Sequence, residues 1–351
     1  MSLRALGLRA LQRPALESSA NGRMHKIEAG ASLSQALSMM SDLRIGSLLV
    51  GSAATQTSID GIITERDVLE KLDFHAPLTS VTVDSLMTPA SDMILADRSW
   101  TLERALQAMK RGNFRHLPIS DDDERVSSML SMRDAARELA HAAAATCVDD
   151  VQAGTAEVAT AAATSAADLV RARSRSVQIT PIGALPVGVS SPPSCVEVPS
   201  CASVAEAVLE MRRWRAGSVL VPVLGGSIAE SRHGFGIFTE RDYLRMLGSA
   251  SRLEIALDAR GVPVSRVMTA AASIRYVAPD TPAATCLSVM GRDDIRHLPV
   301  MQPIEVDPLG AQASPPAAAD DAVIDRKLLA VLSMRDVLSR FLSSTPGSGY
   351  A

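Results

Sequence analysis

At 351 residues, with 47% hydrophobic and 21% charged side chains, the sequence is long enough for two domains with sizeable cores. Its net charge of −4 and its pI near 5.9 argue against a nucleic-acid-binding protein, which usually carries a basic excess. No apolar run approaches the ~18–20 residues that cross a bilayer, so we expect no membrane insertion.

The four cysteines give no sign of a disulfide framework or a zinc site. None of them stands in a C-x-x-C pair, and two lie in or beside a stretch that is typical of a linker. We interpret them as small hydrophobic side chains in a reducing compartment. They are Cys147, Cys195, Cys201 and Cys286.

The N-terminal residues differ from the rest of the chain. Arg4, Arg9 and Arg13 are interspersed with leucines in residues 1–16, where no acidic residue occurs. An Arg-rich, acid-poor composition without a continuous apolar segment is typical of an organelle transit peptide rather than a secretory signal. We predict that residues 1–23 form a mitochondrial transit peptide or a disordered tail, with a plastid or cytoplasmic location as the alternatives.

The first repeating unit, about residues 24–75, begins with a short strand near Lys26. Ser32 is a suitable N-cap for the next helix, whose apolar residues recur at i, i+3, i+4 and i+7. Residues 46–50 indicate a buried strand, and residues 61–67, Gly-Ile-Ile-Thr-Glu-Arg-Asp, indicate a strand that runs into a second helix. The apolar stripe consists of Leu33, Ala36, Leu37 and Met40.

The second unit, about residues 84–142, repeats this order. We predict a strand at residues 93–95, a helix over the apolar stripe that starts at Leu102, and a strand at residues 115–119, Arg-His-Leu-Pro-Ile. An acidic turn then leads to residues 129–134, Met-Leu-Ser-Met-Arg-Asp. The helix that begins near Arg133 can extend into the Ala-rich stretch that follows.

A linker separates this pair of units from a second pair. Residues 143–193 are rich in Ala, Ser and Pro, as expected of a linker. The third and fourth units, about residues 194–250 and 264–342, repeat the motifs of the first two. An inserted loop at residues 302–325 separates the last two strands of the fourth unit, and we expect residues 343–351 to be disordered.

One motif, apolar-apolar-[Thr/Ser]-x-Arg-Asp, recurs in all four units and defines a repeat protein. Units one and three carry Gly-Ser and Thr-Glu-Arg-Asp, whereas units two and four carry Arg-His-Leu-Pro and Ser-Met-Arg-Asp. Because a single unit has too little core to be stable alone, we expect pairing within residues 24–142 and within residues 194–342.

These motifs, with the Met-Thr pairs at residues 87–88 and 268–269, resemble the CBS domain, named for cystathionine β-synthase. The resemblance covers residues 24–142 and 194–342. It implies an α/β fold in which four β-α-β-β-α CBS units pair into two Bateman modules, which can form a disk within one chain. It also implies that the units of a pair pack through their sheets around clefts that often bind adenosine-containing ligands.

The repeated Thr/Ser-x-x-Asp motif can have two roles, which are compatible. It fits an N-terminal helix cap, although a capping box more often has Glu or Gln at the third position. In the family that the chain resembles, these residues bind the vicinal hydroxyls of a ribose. The resemblance implies a ribose-binding set of Thr64, Asp67, Ser131, Asp134, Thr239, Asp242, Ser333 and Asp336.

Arginines and helix N-termini supply the charge and the donors that phosphates need. Four arginines directly precede the aspartates, and two Arg-His pairs begin strands at positions that the family uses to contact phosphate. Alternatively, the arginines pair with Glu65 or Glu240, and the histidines belong to the edge of the core. The candidates are Arg66, Arg115, His116, Arg133, Arg241, Arg296, His297 and Arg335.

The two units of a pair differ at the start of this strand. Residues 46–47 and 217–218 are Gly-Ser where the other units have Arg-His, and they offer backbone room but no charge. We therefore expect unequal clefts within each module, with one ligand per pair as an open alternative.

The sequence contains no Gly-x-Ser-x-Gly elbow, P-loop, dinucleotide-binding glycine motif or metal-ligand spacing, so we predict no catalytic residue, metal or cofactor. The resemblance implies a free-standing, non-catalytic regulatory protein, as a monomeric disk or a homodimer. It would bind AMP, ADP, ATP or S-adenosylmethionine and pass energy or metabolic status to an unidentified protein partner. The alternative is a ligand-free CBS scaffold or assembly subunit of a larger complex, such as a mitochondrial one.

Overall fold

The computed structural model describes residues 24–52, 59–122, 125–149, 180–181, 196–223, 228, 234–252, 259–303 and 326–343. The predicted transit peptide lies outside these ranges, as do most of the linker, the inserted loop and the C-terminal tail. The domain boundaries given above therefore stay predictions. In the part of the chain that is described, no helix combines the length and the apolar character needed to cross a membrane.

The first unit has the predicted order of strand, helix, two strands and helix. Its elements are β1 (Lys26–Ile27), α1 (Leu33–Leu43), β2 (Ser47–Val50), β3 (Gly61–Thr64) and α2 (Glu65–Lys71). Helix α1 begins at a capping box, in which Ser32 N donates to Gln35 Oε1 at 3.0 Å and Gln35 N donates to Ser32 Oγ at 3.2 Å. The apolar stripe predicted from the sequence is the buried face of α1.

The second unit completes the first sheet before it forms its own hairpin. Its elements are α3 (Val83–Leu86), β4 (Thr88–Pro89), α4 (Leu102–Gly112), β5 (His116–Ser120), β6 (Val126–Ser131) and α5 (Met132–Asp149). Strand β4 pairs with β3, so the sheet has the order β1-β2-β3-β4. Helix α5 continues to Asp149, which confirms its predicted extension into the Ala-rich stretch.

The strand predicted at residues 93–95 is wrong. These residues follow a 3₁₀ turn (Ala90–Asp92), and Ile94 and Leu95 are 42% and 45% exposed. Only Ala96 reaches β5, where its N donates to Pro118 O at 3.0 Å and its O accepts from Ser120 N at 2.8 Å. Three consecutive apolar residues predict a buried strand, but here only the small Ala96 fits against the edge of β5.

The second module repeats the architecture of the first. Its third unit contains β8 (Val196–Glu197), α6 (Val204–Trp214), β9 (Ser218–Pro222), β10 (Phe235–Thr239) and α7 (Glu240–Arg252), after a short β7 (Thr180–Pro181). Its fourth unit contains α8 (Ala283–Arg292), β11 (His297–Pro303), β12 (Arg326–Ser333) and α9 (Met334–Ser343). Val277 makes the same single parallel bridge to Val300 of β11 that Ala96 makes to Ile119 of β5.

Within each module the two units meet through their sheets. Leu49 of the first unit packs in one apolar cluster with Val126 of the second. In the second module, Leu220 of the third unit packs with Val331 of the fourth. The sheet-to-sheet pairing implied by the resemblance is therefore the observed one.

Between the modules, equivalent units share a core through their helices. Helices α1 and α2 of the first unit pack against α7 of the third, and α5 of the second unit packs against α8 of the fourth. Met40 and Met211 lie in one shared core, and Met109, Met290 and Cys286 lie in the other. Since one chain forms both interfaces, the two modules make the predicted disk, and the α/β class is confirmed.

Each unit turns from its first helix into the next strand through one residue with a left-handed backbone. The φ angles of these four residues lie between 49° and 56°. Each stands two residues before the Gly-Ser or Arg-His pair, so the turn fixes where that pair begins. The residues are Arg44, Asn113, Arg215 and Asp294; Asn and Asp tolerate this conformation better than most other residues.

Candidate functional site

All four Thr/Ser-x-x-Asp motifs form the same reciprocal helix cap. Thr64 N donates to Asp67 Oδ2 at 2.9 Å, and Asp67 N donates to Thr64 Oγ1 at 3.3 Å. The other three copies have the same two bonds, at 2.8–3.1 Å and 3.2–3.3 Å. The cap role is therefore observed with Asp at the third position, and it fixes one carboxylate oxygen, Oδ2, in every unit.

The other oxygen, Oδ1, has different surroundings from unit to unit. Asp67 Oδ1 accepts from Lys71 Nζ at 2.7 Å and from Thr88 Oγ1 at 2.9 Å. Asp134 Oδ1 has Arg137 Nη1 at 3.7 Å, which is beyond a hydrogen bond. Asp242 accepts from Arg245 at 3.3 Å, and burial raises the pKa of Asp242 above its ordinary value.

A cavity of about 380 Å³ at the centre of the disk gathers predicted residues from both modules. Its lining includes the second and fourth copies of the capped aspartate, together with both Gly-Ser pairs and both Arg-His pairs. The predicted site residues that line it are Arg66, Arg115, His116, Ser131, Arg133, Asp134, Arg296, His297, Ser333, Arg335 and Asp336.

A second cavity, of about 790 Å³, lies beside Thr64 and Asp67 of the first module and is also lined by Arg212 and Arg215 of the second. It shares Arg115 and His116 with the central cavity, and Lys71 and Thr88 also line it. Neither cavity is lined by the remaining predicted residues, which belong to the third unit. These are Thr239, Arg241 and Asp242.

Ion pairs cross between the modules beside the central cavity. Arg115 of the first module pairs with Glu240 of the second, and Arg296 of the second pairs with Glu65 of the first. Arg66 Nη2 lies 3.4 Å from Glu240 Oε1, and Arg241 Nε lies 3.7 Å from Glu65 Oε1. The ion-pair alternative is thus the observed arrangement for these four arginines, and each of them pairs with a glutamate of the opposite module.

The ion pairs keep two deeply buried glutamates charged. Burial by itself raises the pKa of Glu240, but Arg115 and Arg66 outweigh it and lower that pKa to about 2. Arg296 and Arg241 likewise outweigh burial and lower the pKa of Glu65. Both carboxylates are therefore ionised at neutral pH.

His116 is neutral at the same pH. Removal from water, and then the positive charge of Arg296, lower its pKa to about 3. A neutral imidazole presents one N–H donor and one acceptor nitrogen. Burial, with Arg115 and Arg66 nearby, also lowers the pKa of Arg335 to about 10, which leaves its guanidinium protonated.

Asn113 and Asp294 each contact arginines of both modules, although the motifs did not point to them. Arg66 Nη1 donates to Asn113 O at 3.0 Å, and Arg335 donates to the Asn113 side-chain oxygen. Arg241 Nη1 donates to Asp294 O at 2.6 Å, and Arg133 Nη2 lies 2.7 Å from Asp294 Oδ1. The sequence does contain a signal for these two residues, because a short polar residue stands two places before each Arg-His pair.

The Gly-Ser pairs provide the backbone room that their composition indicated. A Cβ on Gly46 would lie 2.8 Å from Arg296 Nη2 and 3.1 Å from Glu65 Cδ. A Cβ on Gly217 would lie 2.8 Å from His297 Nε2 and 3.0 Å from Arg115 Nη2. Glycine at both places therefore lets Arg-His side chains approach closely.

These paired α/β units, with a capped aspartate in each, define the class of protein. Residues 22–73 and 83–141 match the CBS domain family. The first module is therefore a pair of CBS domains, and the second module repeats its motifs and its element order.

Two curated relatives resemble parts of the chain. The mitochondrial CBS domain-containing protein CBSX3 of Arabidopsis thaliana is 31% identical over 107 residues, which are 30% of this chain and 52% of that protein. The chain thus spans about half the length of this relative. Inosine-5'-monophosphate dehydrogenase of Schizosaccharomyces pombe is 33% identical over 79 residues, which are 22% of this chain and 14% of that enzyme.

A solved structure resembles the chain over both modules. It is a Methanocaldococcus jannaschii protein proposed to be an archaeal homolog of g-AMPK, with a TM-score of 0.64 and 15% identity. The match covers 93% of this chain and 99% of that one. At this identity the likeness concerns the fold, and it agrees with the arrangement of four units in one disk.

Proposed function

We propose that this chain is a non-catalytic regulatory protein that binds adenosine-containing ligands in its central cavity. The ligands would be AMP, ADP, ATP or S-adenosylmethionine, and the bound state would be transmitted to a protein partner. The observation that carries the proposal is the shared lining of one cavity: Asp134 and Asp336, both capped at a helix start, together with arginines of both modules.

A ribose would bind to Oδ1, the carboxylate oxygen that the helix cap does not use. In Asp134 the cap uses Oδ2. Among the described residues, the charged group beside Oδ1 is Arg137, whose Nη1 lies at 3.7 Å, too far for a hydrogen bond. An ionised carboxylate oxygen can accept two hydrogen bonds, as the vicinal hydroxyls of a ribose require. Asp336 repeats the cap on the same cavity.

Phosphates would be bound by the excess of positive charge in the lining. Eight arginines but only two carboxylates line the cavity, and Glu65 and Glu240 neutralise part of this charge without lining it. The neutral His116 adds an uncharged donor. This balance favours phosphorylated ligands over S-adenosylmethionine, whose sulfonium is cationic.

Regulation would follow from the position of the cavity between the modules. Its lining takes residues from all four units: Gly46, Arg115, Gly217 and Arg296 each come from a different one. A phosphate that attracts Arg115 or Arg296 competes with Glu240 or Glu65, which hold the modules together. Ligand binding is therefore coupled to the relative setting of the modules, which a partner can recognise.

We also propose a mitochondrial location, with the partner in that compartment. Its support is the Arg-rich, acid-poor composition of residues 1–16 and the similarity to a mitochondrial plant protein. Import of a fusion of residues 1–23 to a fluorescent protein tests this part of the proposal. A cytoplasmic or plastid signal from the fusion would contradict it.

A specific observation favours a second candidate, a ligand-free CBS scaffold. Arg115 and Arg296, which line the cavity, already have protein partners, and each capped aspartate already accepts hydrogen bonds from its own helix start. A scaffold would need no ligand to satisfy these charged and polar groups. The two candidates differ in one measurable property, which is the binding of nucleotide.

The experiment is a thermal unfolding series of the full chain with AMP, ADP, ATP, S-adenosylmethionine and inorganic phosphate. A ligand that binds only the folded state at 100 times its Kd adds about 2.7 kcal/mol to the free energy of unfolding. We expect at least one adenosine ligand to raise Tm, and Asp134→Asn to reduce the shift. The control is Asp84→Asn, an exposed residue of α3. No shift with any adenosine ligand at millimolar concentration would favour the scaffold.

A further inference from the structure

The carboxylate of Asp67 is saturated by the protein itself. Its Oδ2 accepts from Thr64 N at 2.9 Å and from Thr64 Oγ1 at 2.6 Å. Its Oδ1 accepts from Lys71 Nζ at 2.7 Å and from Thr88 Oγ1 at 2.9 Å. A carboxylate has about four lone-pair sites, so these four donors leave no place for the two hydroxyls of a ribose.

The two donors on Oδ1 each have further contacts with the protein. Lys71 Nζ also donates to Leu86 O at 2.7 Å and to Met87 O at 3.1 Å, so all three ammonium hydrogens have acceptors. Thr88 lies on β4, which pairs with Ile62 of β3 in the first sheet. The Asp67 side chain is only 9% exposed, so water replaces these donors poorly.

The other aspartate of the same module is open by comparison. Asp134 accepts the two bonds of its own cap on Oδ2, and Oδ1 has Arg137 Nη1 at 3.7 Å. The residue four places after Asp134, where Lys71 follows Asp67, is Glu138, which cannot donate from its carboxylate. Asp134 lines the central cavity, whereas Asp67 lines the other one.

We infer that Lys71 and Thr88 are specificity-determining residues. They donate to Asp67 Oδ1 in place of the ribose hydroxyls and so prevent ribose from binding at this aspartate. The first module then binds one adenosine ligand, with its ribose at Asp134. The inference rests on the proposed function, since it selects between two sites of the same kind. It also means that the cavity of about 790 Å³ beside Asp67 is not a ribose site.

The third unit supports the assignment of this role to Lys71. Met246 stands at the place of Lys71, and its side chain has no N–H or O–H to donate, whereas Thr269 stands at the place of Thr88. Among the described residues, Asp242 Oδ1 accepts only from Arg245, at 3.3 Å, and the Arg245 side chain is 67% exposed. The third unit, which is equivalent to the first, thus lacks the closed arrangement of Asp67, so the shared Thr-Glu-Arg-Asp motif alone does not produce it.

The test is an isothermal titration of the full chain with AMP, in which the number of sites is measured. Asp134→Asn should remove one site, because the first module loses its ribose acceptor. Lys71→Met should add one site, and Lys71→Met combined with Asp67→Asn should remove the added site again. Thr88→Val is a second way to open the same oxygen, and Lys110→Met, an exposed lysine of α4, is the control.

Each outcome bears on a different claim. An unchanged number of sites in both Lys71→Met and Thr88→Val would overturn the inference, as would the loss of a site in Asp67→Asn alone. In either case the proposed function stands, because AMP still binds. If wild type and every variant bind neither AMP nor any other adenosine ligand, the proposed function fails, and the inference fails with it.

Discussion

Arg115 of the first module and Glu240 of the second form an ion pair although 125 residues separate them in the sequence. Glu240 is 2% exposed, and Arg115 Nη2 donates to its Oε1 at 3.2 Å. An equivalent contact runs in the opposite direction, because Arg296 of the second module pairs with Glu65 of the first. Each module therefore supplies one glutamate and one arginine to a reciprocal contact between the modules.

Removal of one partner of this contact should destabilise the fold. Glu240→Gln leaves Arg115 and Arg66 without their buried counter-charge, and we expect the free energy of unfolding to fall by about 3 kcal/mol. The control is Glu70→Gln, which removes a partly exposed i,i+4 partner of Arg66 at 3.7 Å and should cost less than about 0.5 kcal/mol. Urea denaturation measures both. Similar losses in the two variants would contradict the buried role of Glu240.

Stability should decrease when the pH falls below neutral. The pKa of His116 is lowered from 6.5 to about 3, so between these values the unfolded chain binds a proton that the folded chain does not. Its contribution to stability is complete above about 6.5 and is lost as the pH falls toward 3. The pKa of Glu240, lowered from 4.5 to about 2, adds a further loss below about 4.5.

Urea denaturation at pH 7.5 and pH 5.5 isolates the histidine contribution. The unfolding free energy of the wild type should decrease between pH 7.5 and pH 5.5. The decrease should be smaller in His116→Asn, which lacks the buried imidazole, and unchanged in His75→Asn, at an exposed position. The same pH dependence in His116→Asn as in the wild type would show that His116 is not kept neutral by its surroundings.

Two glycine substitutions should have opposite effects on stability. Gly217→Ala places a Cβ 2.8 Å from His297 Nε2 and 3.0 Å from Arg115 Nη2, and because Arg115 is held by its ion pair with Glu240, we expect a cost of about 1–3 kcal/mol. Gly291→Ala, late in helix α8, meets nothing within 4 Å and should stabilise by about 0.5–1 kcal/mol. Thermal unfolding compares the two. An equal or higher Tm for Gly217→Ala would contradict the close approach at the Gly-Ser pair.

Local features of the fold follow from the sequence because they depend on neighbouring residues. The cap at Asp67 uses Thr64, three residues away, and its three copies repeat the geometry. The buried stripe of α1 follows from helical periodicity. The strand expected at residues 93–95 failed because an apolar run does not reveal whether a sheet edge is in reach.

The candidate site was harder to predict because its contacts are long-range. Arg296 meets Glu65 across 231 residues, and only the closed disk brings them together. The pair of Asp67 and Lys71 at i,i+4 is visible in the sequence, but the hydrogen bond from Thr88 depends on the pairing of β3 with β4. Motif spacing therefore indicates which residues repeat, but not which copies of the aspartate remain available to a ligand.

The most direct test of the proposed function is the affinity of the central cavity for adenine nucleotides. Equilibrium dialysis with AMP, ADP and ATP would compare wild type with Asp134→Asn combined with Asp336→Asn. The control combines Asp84→Asn with Asp280→Asn, two exposed aspartates. Loss of charged hydrogen bonds to ribose, each about 1.5–3 kcal/mol, predicts binding at least about tenfold weaker in the cavity variant, with the control unchanged. Nucleotide binding of equal affinity in all three proteins would contradict a site at the centre of the disk.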